Sequence, residues 1–562
     1  LTLLSGSGVI TVGTIGVTTP LDALSINASG SAASALTIKQ IGTFAGAAGV
    51  NGTTTIGNSS TTSVDLNAGE FNFGGAATIT AAGDITTDSG ISIKTNNDLT
   101  FNPNQAAGAA GLKITGDFDI VATTSNDTVT IAGNIIGVDD TSNEDITIVA
   151  GASSGTDGGT ITLGGTVGTE IRAVTLTAGT AINLGGNITT INVTGNNVDI
   201  NGPAILTANV DIDTSLNDGS IDFSSTINNA ASGGPFNLQL DTGSGAIGVS
   251  SAIGGSASIG TIDINQTDGA GVITLAGIGN GTTAAGNTGQ VDIGNSATAD
   301  LNLSGTFFTN GQTTYEASST AGATDENIDI TATTTFKTSD DAIIFSTAAI
   351  DIANTANLTI DTGTGAITLT DIHGDGTTDT TDLDIDGGAI SVKSIGQTGA
   401  KDEINGVDIN GSGGITLNGS IFTGGTGNNV GLTGAVALAT GDILIDTTTS
   451  NGTVDMSSTL DGTQNLDILS GTGTVTITGN IGTSNALTSL DINKTGAGNT
   501  GSIVLAGNIG TDIAAGAGAV TLGHDGLTGS ITFGSAGVNG DYNTTGDQVY
   551  EADSYVLRGT DP

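Results

Sequence analysis

The chain has 562 residues, of which 55 are acidic and 9 are basic, so its formal net charge is −46 at pH 7. A chain with so few basic residues cannot neutralise the phosphates of a partner. Nucleic acids and anionic membranes are therefore not expected partners. Cysteine is absent, which excludes disulfides, and no run of about 18 apolar residues predicts a membrane-spanning helix. Hydrophobic residues make up 36% of the chain and charged residues only 11%, a balance that predicts a folded core rather than disorder.

Short segments in which every second residue is apolar recur along the chain. They are bounded by Gly, Asn or Asp, which is the pattern of short, half-buried β-strands. No segment shows the 3.6-residue period of a helix. The apolar pairs that we predict to face a core are, in chain order, Ile91 and Ile93, Leu112 and Ile114, Val129 and Ile131, Ile146 and Ile148, Ile161 and Leu163, Val174 and Leu176, Ile221 and Phe223, Ile262 and Ile264, Ile273 and Leu275, Val291 and Ile293, and Leu301 and Leu303.

Four stretches of the chain are similar to one another. They read GGTITLGGTVGTEI (158–171), DINQTDGAGVITLAGIG (263–279), DINGSGGITLNGSI (408–421) and DINKTGAGNTGSIVLAGNIG (491–510). Two of them belong to a longer duplication that relates about 211–317 to 446–552. Self-similarity of this kind predicts a solenoid, in which each unit buries its apolar face by stacking on its neighbours.

The composition does not shift along the chain and gives no domain boundary. We therefore expect one continuous solenoid over residues 1–562. Both ends break off within the repeat pattern, which predicts a fragment of a longer chain. Neither end carries a polar cap, so we expect either that more chain follows or that copies stack end to end.

The fold that we predict is all-β, an elongated right-handed parallel β-helix with aliphatic ladders in its core. Segments such as TITLGG and SIVLAGNIG end in small-residue corners, which suit bends between the faces of a coil. The copies also differ by insertions, which a solenoid accommodates as loops on its outside. Turns of roughly 20–30 residues would give on the order of 20 turns. Tandem antiparallel β-sandwiches are the alternative.

One segment, DIHGDGTTDTTD (371–382), has the spacing of a calcium-binding loop. Such loops use oxygen ligands at positions 1, 3, 5 and 12 and a backbone carbonyl at position 7, with Gly at position 6. No cofactor is expected to be required, and calcium is the ion expected if this segment is a metal site. An acidic surface corner is the other interpretation, since His is a poor calcium ligand and no flanking helix is predicted. The candidate ligands are Asp371, His373, Asp375, Thr377, Asp379 and Asp382.

Two parts of the chain resemble filamentous-haemagglutinin-like proteins and other giant bacterial β-strand-repeat adhesins. The resemblance is carried by NLGGNITTINVTGNNVDINGPAILTANVDI (183–212) and by TGDQVYEADSYVL (545–557), with a poorer copy in NGQTTYEA (310–317). It consists of general repeat features rather than a specific protein. It implies a parallel β-helix, an extracellular or cell-surface location and a role as an adhesin, fibre or stalk, and it carries over no catalytic residues.

The expected function is therefore that of a structural or adhesive segment of a large extracellular filament or surface protein, without catalysis. The partner would be a surface or matrix component, a polysaccharide or a further copy of the chain. A β-helix protein that binds or degrades polysaccharides is the alternative. It is less favoured because Trp is absent and Tyr numbers only 4, so aromatic platforms for sugars are scarce.

Overall fold

The chain forms a right-handed parallel β-helix of about 21 turns. The structure is a computed structural model that describes residues 1–30, 34–46, 48–67, 69–88, 90–104, 110–138, 144–151, 158–267, 269–281, 284–319, 327–375, 381–397, 404–424, 429–449, 451–511, 514–535 and 540–559. Within each compact unit, the described strands pair in parallel, as β24 does with β27 and β47 with β50. This confirms the predicted coil and not the antiparallel sandwiches. The helical element described is one 3₁₀ turn, Ser215–Asn217. In the described part of the chain, no helix has the length and apolarity to cross a membrane.

The chain divides into two compact units. Unit 1 comprises Leu1–Asn280 and Gly286–Thr298, and unit 2 comprises Gly281–Ala285 and Ala299–Pro562. The prediction that a single continuous solenoid spans the chain stays a prediction, and each unit is described by itself.

The described strands of unit 1 are β1 (Thr2–Leu3), β2 (Ile10–Ile15), β3 (Leu24–Ile26), β4 (Ala35–Ile41), β5 (Thr54–Ile56), β6 (Ser63–Leu66), β7 (Glu70–Phe73), β8 (Ala77–Ala81), β9 (Ile85–Thr87), β10 (Ile91–Thr95), β11 (Leu99–Pro103), β12 (Gly111–Ile114), β13 (Phe118–Ala122), β14 (Thr128–Ile131), β15 (Asn134–Gly137), β16 (Glu144–Ala150), β17 (Thr160–Leu163), β18 (Val167–Gly168), β19 (Ile171–Ala178), β20 (Ala181–Leu184), β21 (Ile188–Thr189), β22 (Val198–Asn201), β23 (Ala204–Leu206), β24 (Val210–Asp213), β25 (Ile221–Phe223), β26 (Ile227–Asn229), β27 (Leu238–Asp241), β28 (Ile247–Val249), β29 (Ile262–Ile264), β30 (Val272–Ile278) and β31 (Val291–Gly294).

The described strands of unit 2 are β32 (Asp300–Thr309), β33 (Thr313–Ala317), β34 (Ile328–Thr338), β35 (Ile343–Thr347), β36 (Ile350–Ala353), β37 (Leu358–Asp361), β38 (Ile367–Leu369), β39 (Ile372–Asp375), β40 (Asp382–Gly387), β41 (Ile390–Val392), β42 (Gly406–Gly411), β43 (Ile415–Leu417), β44 (Ile421–Phe422), β45 (Val430–Thr433), β46 (Val436–Leu438), β47 (Ile443–Asp446), β48 (Val454–Met456), β49 (Leu460–Gly462), β50 (Asn465–Leu469), β51 (Val475–Ile477), β52 (Leu487–Ile492), β53 (Ile503–Leu505), β54 (Ala517–Gly523), β55 (Ser530–Phe533), β56 (Gln548–Glu551) and β57 (Ser554–Leu557).

Successive turns of the solenoid bring the chain back to three faces. In unit 1, one face runs β20–β23–β26, a second runs β21–β24–β27–β29 and the third runs β22–β25–β28–β30. On the third face Val198 pairs with Ile221, and Ile221 with Ile247, so these turns are 23 and 26 residues long. Turns of unequal length stay in register because the extra residues lie in the corners between strands.

The core consists of ladders of apolar side chains, one rung from each turn. Val198, Ile221, Ile247 and Ile273 form such a ladder on the third face of unit 1, and each is at most 1% exposed. Period-2 alternation directs these side chains inward, while the Asp, Thr and Asn residues between them face solvent. All of the apolar pairs predicted from the sequence are buried, as the predicted aliphatic ladders require.

Candidate functional site

The predicted calcium ligands lie on two strands and in the segment between them. Asp371 directly precedes β39, His373 lies within it, and Asp382 is the first residue of β40. The side chain of Asp375 and the residues Thr377 and Asp379 lie outside the described part of the structure. The structure thus places three of the six candidates, and the calcium site stays a prediction.

The three placed residues face outward and contact the neighbouring turns. Asp371 Oδ1 accepts a hydrogen bond from the Ser394 amide at 3.0 Å, and Asp382 Oδ1 accepts one from Asn405 Nδ2 at 2.8 Å. His373 pairs in register with Asp351 of β36. Within the described ranges, no three His, Asp or Glu side chains come together as a metal site.

We expect calcium to stabilise the protein beyond what sodium does at matched ionic strength. Binding to the folded state alone would add about 2.7 kcal/mol at a calcium concentration a hundred times the dissociation constant, whereas sodium would act only by screening. The measurement is the thermal unfolding midpoint in each salt. The control is the double variant Asp371→Asn and Asp382→Asn, which keeps the hydrogen-bonding oxygens and removes two charges. Equal midpoints in both salts, or a calcium effect that survives in the variant, would show that 371–382 is only an acidic corner.

A second candidate site lies in the internal duplication. The corners that join its strands are built in the same way in both copies. The strands β24 to β30 and β47 to β53 follow one another in the same order and pair in the same way. In the first copy β24 pairs with β27 and β27 with β29. In the second copy β47 pairs with β50 and β50 with β52.

An aspartate and a threonine close the first corner of each copy. Asp213 Oδ1 accepts hydrogen bonds from the amide and the hydroxyl of Ser215, at 2.9 and 2.6 Å. Asp446 Oδ1 accepts the same two bonds from Thr448, at the same distances. The threonine after each aspartate, 214 or 447, donates its hydroxyl to a carbonyl five residues further on. These bonds satisfy polar groups where the chain leaves the sheet.

A buried asparagine holds the next corner of each copy to the turn before it. Asn265 and Asn493 have left-handed φ angles of 47° and 49°, a conformation that Asn adopts more readily than most residues. Asn265 Oδ1 accepts a hydrogen bond from the Thr242 amide at 2.8 Å, and its Nδ2 donates to the Thr242 hydroxyl at 3.0 Å. Asn493 makes the same pair of bonds with Ser470, at 2.9 and 3.0 Å. Both asparagines are fully buried.

These corners form a groove in each copy. The groove of the first copy has a volume of about 500 Å³, and that of the second has a volume of about 370 Å³. Residues of the first groove include Asp213, Ser215, Asp218, Asp241, Ser244 and Thr267. Residues of the second include Thr448, Asn451, Leu469, Gly471, Thr495 and Asn499. Each groove lies within one unit, and hydroxyl and backbone groups line both, together with carboxylates in the first groove and side-chain amides in the second.

The two copies differ in charge around these grooves. Asp241 of the first copy pairs with Asp213, whereas the second copy has Leu469 paired with Asp446. Asp218, which accepts a hydrogen bond from the Ser244 amide at 2.7 Å, corresponds to the neutral Asn451. The first groove is therefore the more acidic of the two.

Carboxylates crowd together beside the first groove. Burial, and then the charges of Asp241 and Asp213, raise the pKa of Asp211 to about 6. Burial, and then the charges of Asp241, Asp292 and Asp211, raise the pKa of Asp263 to about 6. Burial is also the main cause of the raised pKa of Asp241. Half-burial and mutual repulsion both disfavour the charged forms.

The second copy has a cation at the corresponding place. Asp491 corresponds to Asp263, but Asp491 pairs with Asp467 on the preceding turn, whereas Asp263 pairs with Gln239. Lys494 stands where the first copy has Gln266. Lys494 Nζ lies 2.7 Å from Asp491 Oδ2. This bond raises the pKa of Lys494, and the charge of Lys494 opposes the rise that burial and Asp491 cause in the pKa of Asp467.

Sequence reasoning identified the copies DINQT and DINKT but not the site that they form. The signal was the difference of one letter, Gln266 against Lys494, beside an aspartate common to both. What this difference means depends on which carboxylates of the neighbouring turns lie beside that aspartate. The strand register decides this, and the sequence alone does not give it. The comparisons with known proteins assign no role to either corner: no protein family, curated protein or solved structure matches this chain.

Proposed function

We propose that this chain is a structural or adhesive segment of a large extracellular filament or cell-surface protein, and that it does not act by catalysis. The observation that carries the proposal is the uniformity of the fold: turn after turn repeats the same three faces around a core of apolar ladders. A solenoid of this kind presents a long surface of repeated side chains, which suits spacing and multivalent contact.

The chemistry of the outer faces supports the same function. Solvent-facing positions are mainly Thr, Asn, Ser and Asp, and the chain has only 2 His and no Cys. Many of the polar side chains bond to the next turn, as Asn183 Nδ2 does to the Thr162 hydroxyl at 3.0 Å and Thr86 to Asp65 at 3.0 Å. Such side chains stabilise the stack itself, which favours a structural role.

We expect the chain to bind an immobilised surface or matrix component without turning it over. The measurement combines a binding screen against polysaccharides and matrix proteins with a reducing-sugar assay on acidic polysaccharides. The polysaccharide-degrading alternative predicts turnover that is abolished by replacing a few acidic residues. Turnover with that property would overturn the structural proposal, and retention on one surface without turnover would support it.

A further inference from the structure

We propose that the peptide between Asn51 and Gly52 is a site of spontaneous covalent modification, at which the asparagine side chain is converted to aspartate or isoaspartate. The site lies in a corner of unit 1, shortly before β5, and the reaction needs only water. The inference goes beyond the structural role proposed for the whole chain and does not depend on it.

An asparagine that is followed by glycine can react with its own backbone. The amide nitrogen of the glycine attacks the side-chain carbonyl carbon of the asparagine, and the side-chain nitrogen leaves as ammonia with the proton that the amide loses. Water then adds to either carbonyl of the resulting five-membered imide and breaks one C–N bond, which gives aspartate or isoaspartate. Glycine favours the first step because it has no Cβ to hinder the approach.

The peptide between Asn51 and Gly52 is free to make this attack. Among the described residues, neither the Asn51 carbonyl nor the Gly52 amide has a hydrogen-bond partner, and the Asn51 side chain has none either. Asn51 is exposed, so water reaches its side chain. Closure of the ring requires the peptide to rotate, and an unbonded peptide rotates without the loss of a hydrogen bond.

The fold itself requires glycine at position 52. A Cβ placed there would lie 2.2 Å from the Asp22 carbonyl oxygen of the preceding turn, so a larger residue would not fit. The reactive pair is therefore part of the way in which this corner is built. The product would lie beside the core, because Val50 is fully buried and pairs with Leu21 and Phe73 of the adjacent turns.

Other Asn–Gly pairs in the described part of the chain are held in place. Hydrogen bonds to carboxylate or hydroxyl oxygens of a neighbouring turn are donated by the Gly311 amide and by the side chains of Asn405, Asn410 and Asn418. Asn451 Oδ1 accepts a hydrogen bond from the Thr472 amide at 2.9 Å, and Asn280 likewise has an interaction partner. Asn201 is the last residue of β22 and pairs with Thr177, so ring closure would disturb a paired strand.

The test is peptide mapping by mass spectrometry of the full chain, aged in a warm, mildly alkaline buffer that favours the attacking form of the amide. All of the Asn–Gly pairs are measured in one digest, so the constrained pairs are the controls. We expect Asn51 to be converted at least about tenfold faster than Asn405 and Asn451, the factor that a cost of about 1.4 kcal/mol for breaking a hydrogen bond produces. Labelling by an isoaspartyl methyltransferase should detect isoaspartate in part of the product.

Asn51→Gln is the matched variant, because the six-membered ring that glutamine would form closes far more slowly, and circular dichroism checks that it is folded. Conversion at this position should be lost in the variant. The same map of the chain unfolded in urea measures what the sequence alone causes, and there the pairs should react at similar rates. Conversion of Asn51 no faster than that of the constrained pairs in the folded protein, or an equally large excess rate at Asn51 in the unfolded chain, would overturn the proposal.

Discussion

Replacing Phe336 by alanine is expected to lower the free energy of unfolding of unit 2 by about 3–5 kcal/mol, the usual cost of removing a buried aromatic ring. Phe336 is fully buried. Its ring centroid lies 5.0 Å from those of Phe307 and Tyr315 and 5.1 Å from that of Phe345. The four rings form one stack inside unit 2, so the cavity left by alanine would be lined by rigid aromatic rings that relax little.

The experiment is urea-induced unfolding of the full chain, monitored by tyrosine fluorescence. All 4 Tyr residues, 315, 542, 550 and 555, belong to unit 2, so the signal reports on that unit. The matched control is Thr335→Ala on the same strand, which removes an outward side chain and should change stability by less than about 0.5 kcal/mol. Equal midpoints for the Phe336→Ala and wild-type proteins would show that the aromatic stack does not contribute to the stability of the core.

The core could be predicted from the sequence because alternation alone decides which side chains face inward. The pairs Ile221 with Phe223 and Ile273 with Leu275 were predicted to be buried from their spacing, and they form rungs of the same ladders two turns apart. A period of two residues suffices for this, since each strand presents its faces independently of its neighbours. The pairing of turns was not predictable in this way, because turn lengths vary and the corners absorb the difference.

The corners were harder to predict because local backbone geometry reverses the alternation there. In DIN (263–265), alternation directs Asp263 outward, Ile264 inward and Asn265 outward. The left-handed φ of Asn265 bends the chain at this point, and its side chain points inward to Thr242 of the preceding turn. The aromatic stack is similar: Tyr315, in the segment NGQTTYEA (310–317), is fully buried beside Phe345. This is a contact between turns, which one strand does not reveal.

Lowering the pH from 7 to about 4.5 is expected to stabilise the acidic face of unit 1. The pKa values of Asp211 and Asp263 are raised to about 6 in the folded protein, against about 3.9 for an unfolded aspartate. The folded state therefore binds more protons than the unfolded state between about pH 4 and pH 6. The stabilisation is fully present below the unfolded pKa and is lost as the pH rises through 6.

The magnitude should be about 2 kcal/mol for the two carboxylates together, after the unscreened value is halved for solvent exposure. The groups that face them are Asp213, Asp241 and Asp292, all acidic. The hydrogen bond from the Ser244 amide lowers the pKa of Asp218. A lowered pKa reduces stability only at pH values below the unfolded pKa of aspartate. Asp218 therefore has little effect on the expected stabilisation at pH 4.5.

Hydrogen exchange of the full chain, expressed as protection factors, would measure this effect separately in each copy. Amides of β24 to β29 should gain protection on acidification, and those of β47 to β52 should gain less, because Lys494 neutralises Asp491 at the corresponding place. The double variant Asp211→Asn and Asp263→Asn should be more protected than the wild type at pH 7 and less dependent on pH, with Asp241 accounting for the dependence that is left. Protection that falls on acidification in the first copy, or a pH dependence unchanged in the double variant, would contradict the repulsion that we infer between these carboxylates. The contrast between the copies follows from several positions at which the duplicated turns differ in charge, among them Asp211 against Leu444, Asp241 against Leu469 and Gln266 against Lys494.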